Sequence, residues 1–100
     1  MGPEKKIQLA LIDLLVGKGW IVKETHGNLY QQGFPDLYAI HPKHRQRWIE
    51  VKNPEYYKFT EAQRQFFPDL NKCVGLWILV AATEAEYKKL FQPPNWYHYL

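Results

Sequence analysis

An aspartate at position 36, a glutamate at position 50 and a lysine at position 52 are the residues of this chain best placed to do chemistry. Asp36 follows Gly33-Phe34-Pro35, and thirteen residues separate it from Glu50 of the triplet Glu50-Val51-Lys52. If residues 36–52 form a hairpin turning at Lys43, Asp36 lies opposite Glu50 and Tyr38 lies opposite Trp48. Side chains alternate along a strand, so Lys52 points to the same face as Glu50. Directly opposed positions have Cβ atoms about 4.5–5.5 Å apart. Two carboxylates at that separation repel each other, and a divalent cation removes the conflict. A hard ion takes carboxylate and carbonyl oxygens and keeps water for a substrate. The arrangement depends on register, because a slip of one residue sends the two acids to different faces. The bland alternative is a solvated strand face in which Glu50 and Lys52 form an ordinary ion pair.

Three segments together are more specific than the triplet: Gly33-Phe34-Pro35-Asp36-Leu37, Trp48-Ile49-Glu50-Val51-Lys52 and Phe59-Thr60-Glu61-Ala62-Gln63. This pattern resembles the PD-(D/E)XK nuclease superfamily and, within it, the stand-alone, phage-type form of the virus-type replication-repair nuclease (VRR-NUC) family. The resemblance spans roughly residues 4–80. It implies a restriction-endonuclease-like α/β fold and Mg²⁺- or Mn²⁺-dependent hydrolysis of DNA phosphodiester bonds. Asp36 and Glu50 match the metal-binding acids, and the Val51 carbonyl matches a backbone metal ligand. Lys52 matches the lysine that positions or helps deprotonate the attacking water. Gln63 matches a glutamine that assists at the site, and Glu4 matches an acid on the first helix that reaches the metal. The resemblance also implies a homodimer acting on branched DNA, such as Holliday junctions, in phage replication, recombination or repair.

Two of these residues have ordinary explanations. Gln63 completes a Thr-x-x-Gln capping box with Thr60. Glu4 stands in a first helical turn, where the helix dipole favours any acid. Glu4 nevertheless shares the stripe of Ile7, Leu11 and Leu14, which points it toward the sheet. For DNA contacts, the candidates are the basic turn (Lys43, His44, Arg45, Arg47) and the polar loop carrying His26, Asn28 and Tyr30. The loop resembles its counterpart in phage-type relatives. Tyr56, Tyr57 and Lys58 could stack on bases or pack over the sheet edge.

The elements that must position these groups follow from local pattern. A helix begins at Pro3, carries Ile7, Leu11, Leu14 and Leu15 on one face, and stops at Gly17 and Gly19. Strands are expected over 20–25, 36–41 and 47–52, with a loop over 26–33 and a turn over 42–46. A second helix starts at Thr60, and Pro68 is expected to end or kink it near Phe67. An apolar run over 75–82 reads as a buried strand. Thr83-Glu84-Ala85-Glu86 reads as another capping box and opens a third helix reaching about Phe91, before Pro93-Pro94. The order is α-β-β-β-α-β-α, a mixed sheet of about four strands flanked by helices. Trp20, Phe66, Phe67 and Trp77 are assigned to the core.

Composition narrows the class. The chain has 100 residues, 46% hydrophobic and 16% aromatic, and these values describe one folded domain rather than a disordered chain. The longest apolar stretch, 74–82, is too short to span a bilayer, and no secretory signal pattern stands at the start. A single cysteine, Cys73, permits no internal disulfide. A cytoplasmic protein is expected, in the host cell if phage-encoded. The net charge of +3 permits an anionic partner without demanding one. No small-molecule organic cofactor is expected. Apolar residues off the first helix's main stripe (Leu9, Ile12, Val16) and the tail residues Trp96, Tyr97, Tyr99 and Leu100 are candidates for a dimer seam, the alternative being that the tail covers the domain's own sheet. Two other function classes fit the composition: an inactive nucleic-acid-binding module of the same fold, and a protein-interaction domain docking through its tail.

Overall fold

The computed structural model describes residues 2–25 and 32–100. The elements are α1 (Pro3–Gly17), β1 (Ile21–Glu24), β2 (Leu37–His41), β3 (Arg45–Val51), α2 (Glu61–Cys73), β4 (Trp77–Leu79) and α3 (Glu84–Lys88). Short 3₁₀ turns follow at Lys89–Phe91 and Trp96–Tyr99. The four strands form one mixed sheet in the order β1-β2-β3-β4. β1 and β3 flank β2 antiparallel, and β4 joins β3 in parallel after the α2 crossover. The chain is thus an α/β protein in the expected α-β-β-β-α-β-α order.

Strand alternation divides the core into two layers. Leu37, Ala39, Ile49, Val51, Trp77 and Leu79 face α1, where Leu11 and Leu15 complete the layer with Trp20 and Leu90. Ile78 and Leu76 face the other way, against Phe67 and Leu70 of α2 and against Phe59 and Trp96. Phe66 is partly buried against this second layer. The hairpin pairs Tyr38 with Trp48 and Leu37 with Ile49, the register that a turn at Lys43 requires.

Three elements differ from the local reading. α2 runs through Pro68 to Cys73. An interior proline costs about 3 kcal/mol, but Phe67 and Leu70 on either side of it are buried. Burying two such side chains contributes roughly 1.5–3 kcal/mol each, enough to offset the cost. β4 is only Trp77–Leu79, because side chains take the flanking backbone donors. Leu76 N–H donates to Asn71 Oδ1 at 3.0 Å and Val80 N–H donates to Glu86 Oε1 at 3.0 Å. β3 begins at Arg45, whose φ of 72° closes the tight turn after Pro42.

The tail covers the sheet through Asn95. Its Oδ1 accepts from Ile78 N–H at 2.7 Å, and its Nδ2 donates to Ile78 O at 3.1 Å. This clamp occupies the outer edge of β4 and buries Trp96. Gly75, at φ 89°, lets the tail close in: a Cβ there would lie 2.9 Å from Pro94 Cγ. The α1 and tail residues do not share one continuous patch. Leu9 and Val16 are exposed and Ile12 packs on the core, but α1 covers one face of the sheet and the tail covers the other. Among the described residues no helix is long and apolar enough to cross a membrane.

Candidate metal centre

Asp36 stands one residue before β2, where the β2–β3 ladder ends at Leu37–Ile49. Beyond that pair, side chains take over the backbone bonds. Asp36 N–H donates to Glu50 Oε1 at 3.1 Å, and Val51 N–H donates to Asp36 Oδ2 at 2.9 Å. On its other side Asp36 O accepts from Thr25 N–H at 2.9 Å. The aspartate is thereby fixed between the ends of β1 and β3. N–H and C=O of one strand residue point to the same edge, so the Val51 carbonyl lies on the Asp36 side of β3.

Glu4 comes from the first turn of α1, on the opposite layer. One carboxylate oxygen each from Glu4, Asp36 and Glu50 lie within 4.8 Å of one another. Three such oxygen donors could hold a hard divalent cation.

Lys52 and Glu50 are both almost fully buried, at 5% and 1% exposure, and pair at 2.9 Å. The ammonium also donates to Lys58 O at 2.9 Å and lies 4.8 Å from the centre of the Phe59 ring. Gln63 joins this network from the first turn of α2. Its Nε2 donates to Glu50 Oε2 at 3.0 Å, while its Oε1 accepts from Thr60 N–H at 3.0 Å and Thr60 Oγ1 accepts from Gln63 N–H at 3.1 Å. The capping box therefore forms, and the same amide holds the glutamate. α2 approaches closely because residue 33 is glycine. A Cβ there would sit 2.7 Å from the Ala62 carbonyl oxygen.

Electrostatics follow from the packing. Burial, and then the neighbouring Asp36 charge, push Glu50 up to about 8, against the opposing pull of Lys52 and Gln63. Burial also raises Asp36, against the Val51 N–H and the Lys52 charge. Both acids gain from a cation that replaces lost hydration. A cleft of about 510 Å³ opens beside them, lined by Thr25, Gly33, Asp36, Thr60, Ala62 and Gln63.

Of the residues expected from sequence, Glu4, Asp36, Glu50, Val51, Lys52 and Gln63 are brought together. The basic turn is elsewhere. Lys43 is seven positions from Asp36, about 23 Å along the strand, at the far end of the hairpin. Arg47 is occupied: it donates to Leu90 O at 2.7 Å and His44 O at 2.7 Å, and lies over the Trp77 ring at 5.1 Å. Arg45 is exposed in the same turn. His26, Asn28 and Tyr30 lie outside the described residues. Two groups of the site had no role in the sequence reading, the Lys58 carbonyl and the Phe59 ring. Phe59 was visible as the residue before the helix cap, but a backbone carbonyl carries no sequence signal.

Comparison with protein-family models, curated proteins and solved structures returned no match.

Proposed function

We propose that the protein is a Mg²⁺- or Mn²⁺-dependent nuclease that hydrolyses phosphodiester bonds in DNA. The observation that carries this reading is the convergence of Glu4, Asp36 and Glu50 beside the buried Lys52. In the reading, Asp36, Glu50, Glu4 and the Val51 carbonyl hold the cation. A divalent cation so held supplies Lewis acidity toward a phosphoryl oxygen and lowers the pKa of bound water. Lys52 provides a positive charge where negative charge grows during attack on phosphorus. Gln63 keeps the Glu50 carboxylate oriented, the part that outer hydrogen-bond partners play around metal ligands.

Branched DNA is the proposed substrate, in phage replication, recombination or repair. A homodimer is the proposed working unit, since symmetric cleavage of a four-way junction needs two sites. The decisive experiment is cleavage of duplex, flap, single-stranded and four-way DNA with Mg²⁺ or Mn²⁺, beside Asp36→Asn and an EDTA control. Cation-dependent cleavage lost in Asp36→Asn supports the reading. DNA binding with no cleavage of any substrate returns the protein to the inactive-module alternative.

A further inference from the structure

A second cavity, of about 700 Å³, adjoins the site on the far side of the α2 N-terminus. Its walls include Tyr57, Lys58, Phe59, Arg64, Trp96 and Tyr97. It meets the proposed metal centre through two of these residues. Lys58 gives its carbonyl to Lys52 Nζ, and Phe59 sets its ring beside the same ammonium. Gln63 faces Glu50, and the next residue, Arg64, lines the groove. The first turn of α2 thus divides the acid cleft from an aromatic one.

The groove's chemistry is mixed in a specific way. Tyr57 and Tyr97 are partly open, at 37% and 56% exposure, over a floor of buried Phe59 and Trp96. The Tyr97 ring lies 4.8 Å from that of Trp96, and the Tyr57 ring lies 6.1 Å from that of Phe59. Among the described residues no acidic side chain lines the groove and neither Lys58 nor Arg64 has an ion-pair partner. A groove for an apolar peptide or a second copy has no need of two unpaired cations. Exposed rings interleaved with free cations complement a strand whose bases present π-faces and whose backbone is anionic.

We propose that this groove holds unpaired nucleotides of a DNA strand, with bases stacked on Tyr57 and Tyr97 and phosphates paired with Lys58 and Arg64. The inference rests on the nuclease reading, because it names the part of the substrate that lies next to the cleaved bond. It makes DNA with a single-stranded segment at the branch point the preferred class.

Binding in EDTA separates the groove from catalysis. The probes are a fluorescent dT oligomer and a blunt duplex of equal length, read by anisotropy. Tyr97→Ala and Tyr57→Ala are each expected to weaken oligo(dT) binding at least fivefold and duplex binding less than twofold. Arg64→Gln is expected to lower the slope of log K against log salt by about 0.7 on the single strand. Melting curves check that the variants remain folded, and both tyrosines are exposed enough to be truncated. Unchanged oligo(dT) affinity in both tyrosine variants overturns the proposal. So does an equal loss on duplex, or a change in sedimentation mass in place of a change in affinity. If the groove variants behave as expected but no cation supports cleavage, the nuclease reading fails and the groove stands. If cleavage is cation-dependent but the tyrosine variants bind normally, the groove fails and the nuclease reading stands.

Discussion

Gln63 and Glu50 are joined by a 3.0 Å hydrogen bond from the glutamine Nε2 to the glutamate Oε2. The other end of the same amide accepts from Thr60 N–H and so caps α2. One side chain therefore ties the start of a helix to a candidate metal ligand. The cap and the contact with Glu50 coexist because the amide has a donor end and an acceptor end.

This coupling is testable by comparing its two ends. Gln63→Ala is expected to lower stability by about 1 kcal/mol and to weaken Mn²⁺ affinity or single-turnover rate about 10- to 100-fold. Thr60→Ala should cost a similar stability through the cap while changing the rate less than threefold. Thermal melts and single-turnover kinetics on both variants check the difference. Equal kinetic losses would show that cap stability alone controls the site.

The acids should act as a set. Asp36→Asn and Glu50→Gln are each expected to abolish Mn²⁺ binding detectable by titration calorimetry and to abolish cleavage. Glu4→Gln should give a smaller loss, because this helix acid is only half-buried whereas Glu50 is almost fully buried. Full cleavage in EDTA would exclude the metal reading.

The raised acids set a pH dependence with a defined sign. Glu50 is near 8 in the folded chain against its usual 4.5, so the folded state holds a proton that the unfolded state has lost. The contribution is fully present below about 4.5 and is lost as pH rises through about 8. Cation-free stability should therefore fall across that window. The raised Asp36 acts in the same direction. Denaturant titrations in EDTA at pH 5 and pH 8.5 measure the fall. Glu50→Gln should flatten it, and Mn²⁺ should oppose it.

Lys52 should matter to rate more than to affinity. Its ammonium is buried against Glu50 Oε2, the Lys58 carbonyl and Phe59, away from a bulk-solvent role. Lys52→Ala is expected to slow single-turnover cleavage about 10²- to 10³-fold while DNA affinity in EDTA changes less than threefold. A loss confined to affinity would make Lys52 a phosphate anchor.

The proposed homodimer has α1 as its candidate surface. Leu9 and Val16 on α1 remain exposed, while the tail lies on the other face. Sedimentation at micromolar concentration is expected to give twice the chain mass of 11.9 kDa. Leu9→Lys with Val16→Lys is expected to return the monomer. A monomer that still cuts four-way junctions would remove the dimer as the working unit.

Local information was enough for the hairpin and the Thr60 box, whereas the box expected at Thr83 keeps only the Glu86 N–H to Thr83 Oγ1 bond, because the Glu86 carboxylate accepts from Val80 N–H instead. The turn after Pro42 and the alternation from Leu37 to Val51 define a register in which Asp36 meets Glu50, because both partners lie within one short, antiparallel segment. Thr60 and Gln63 form their box across one helical turn for the same reason. Tertiary structure decided what depends on contacts distant in sequence. Glu4 reaches the acids only because α1 packs on Leu37, Ile49 and Val51. The Lys52 ammonium takes its place from a carbonyl and a ring in the connector. Pro68 stays inside α2 because Phe67 and Leu70 are buried against the sheet, a gain that helix propensity does not contain. The tail's face was decided by Asn95 clamping Ile78, two backbone bonds made across seventeen residues that no local pattern specifies.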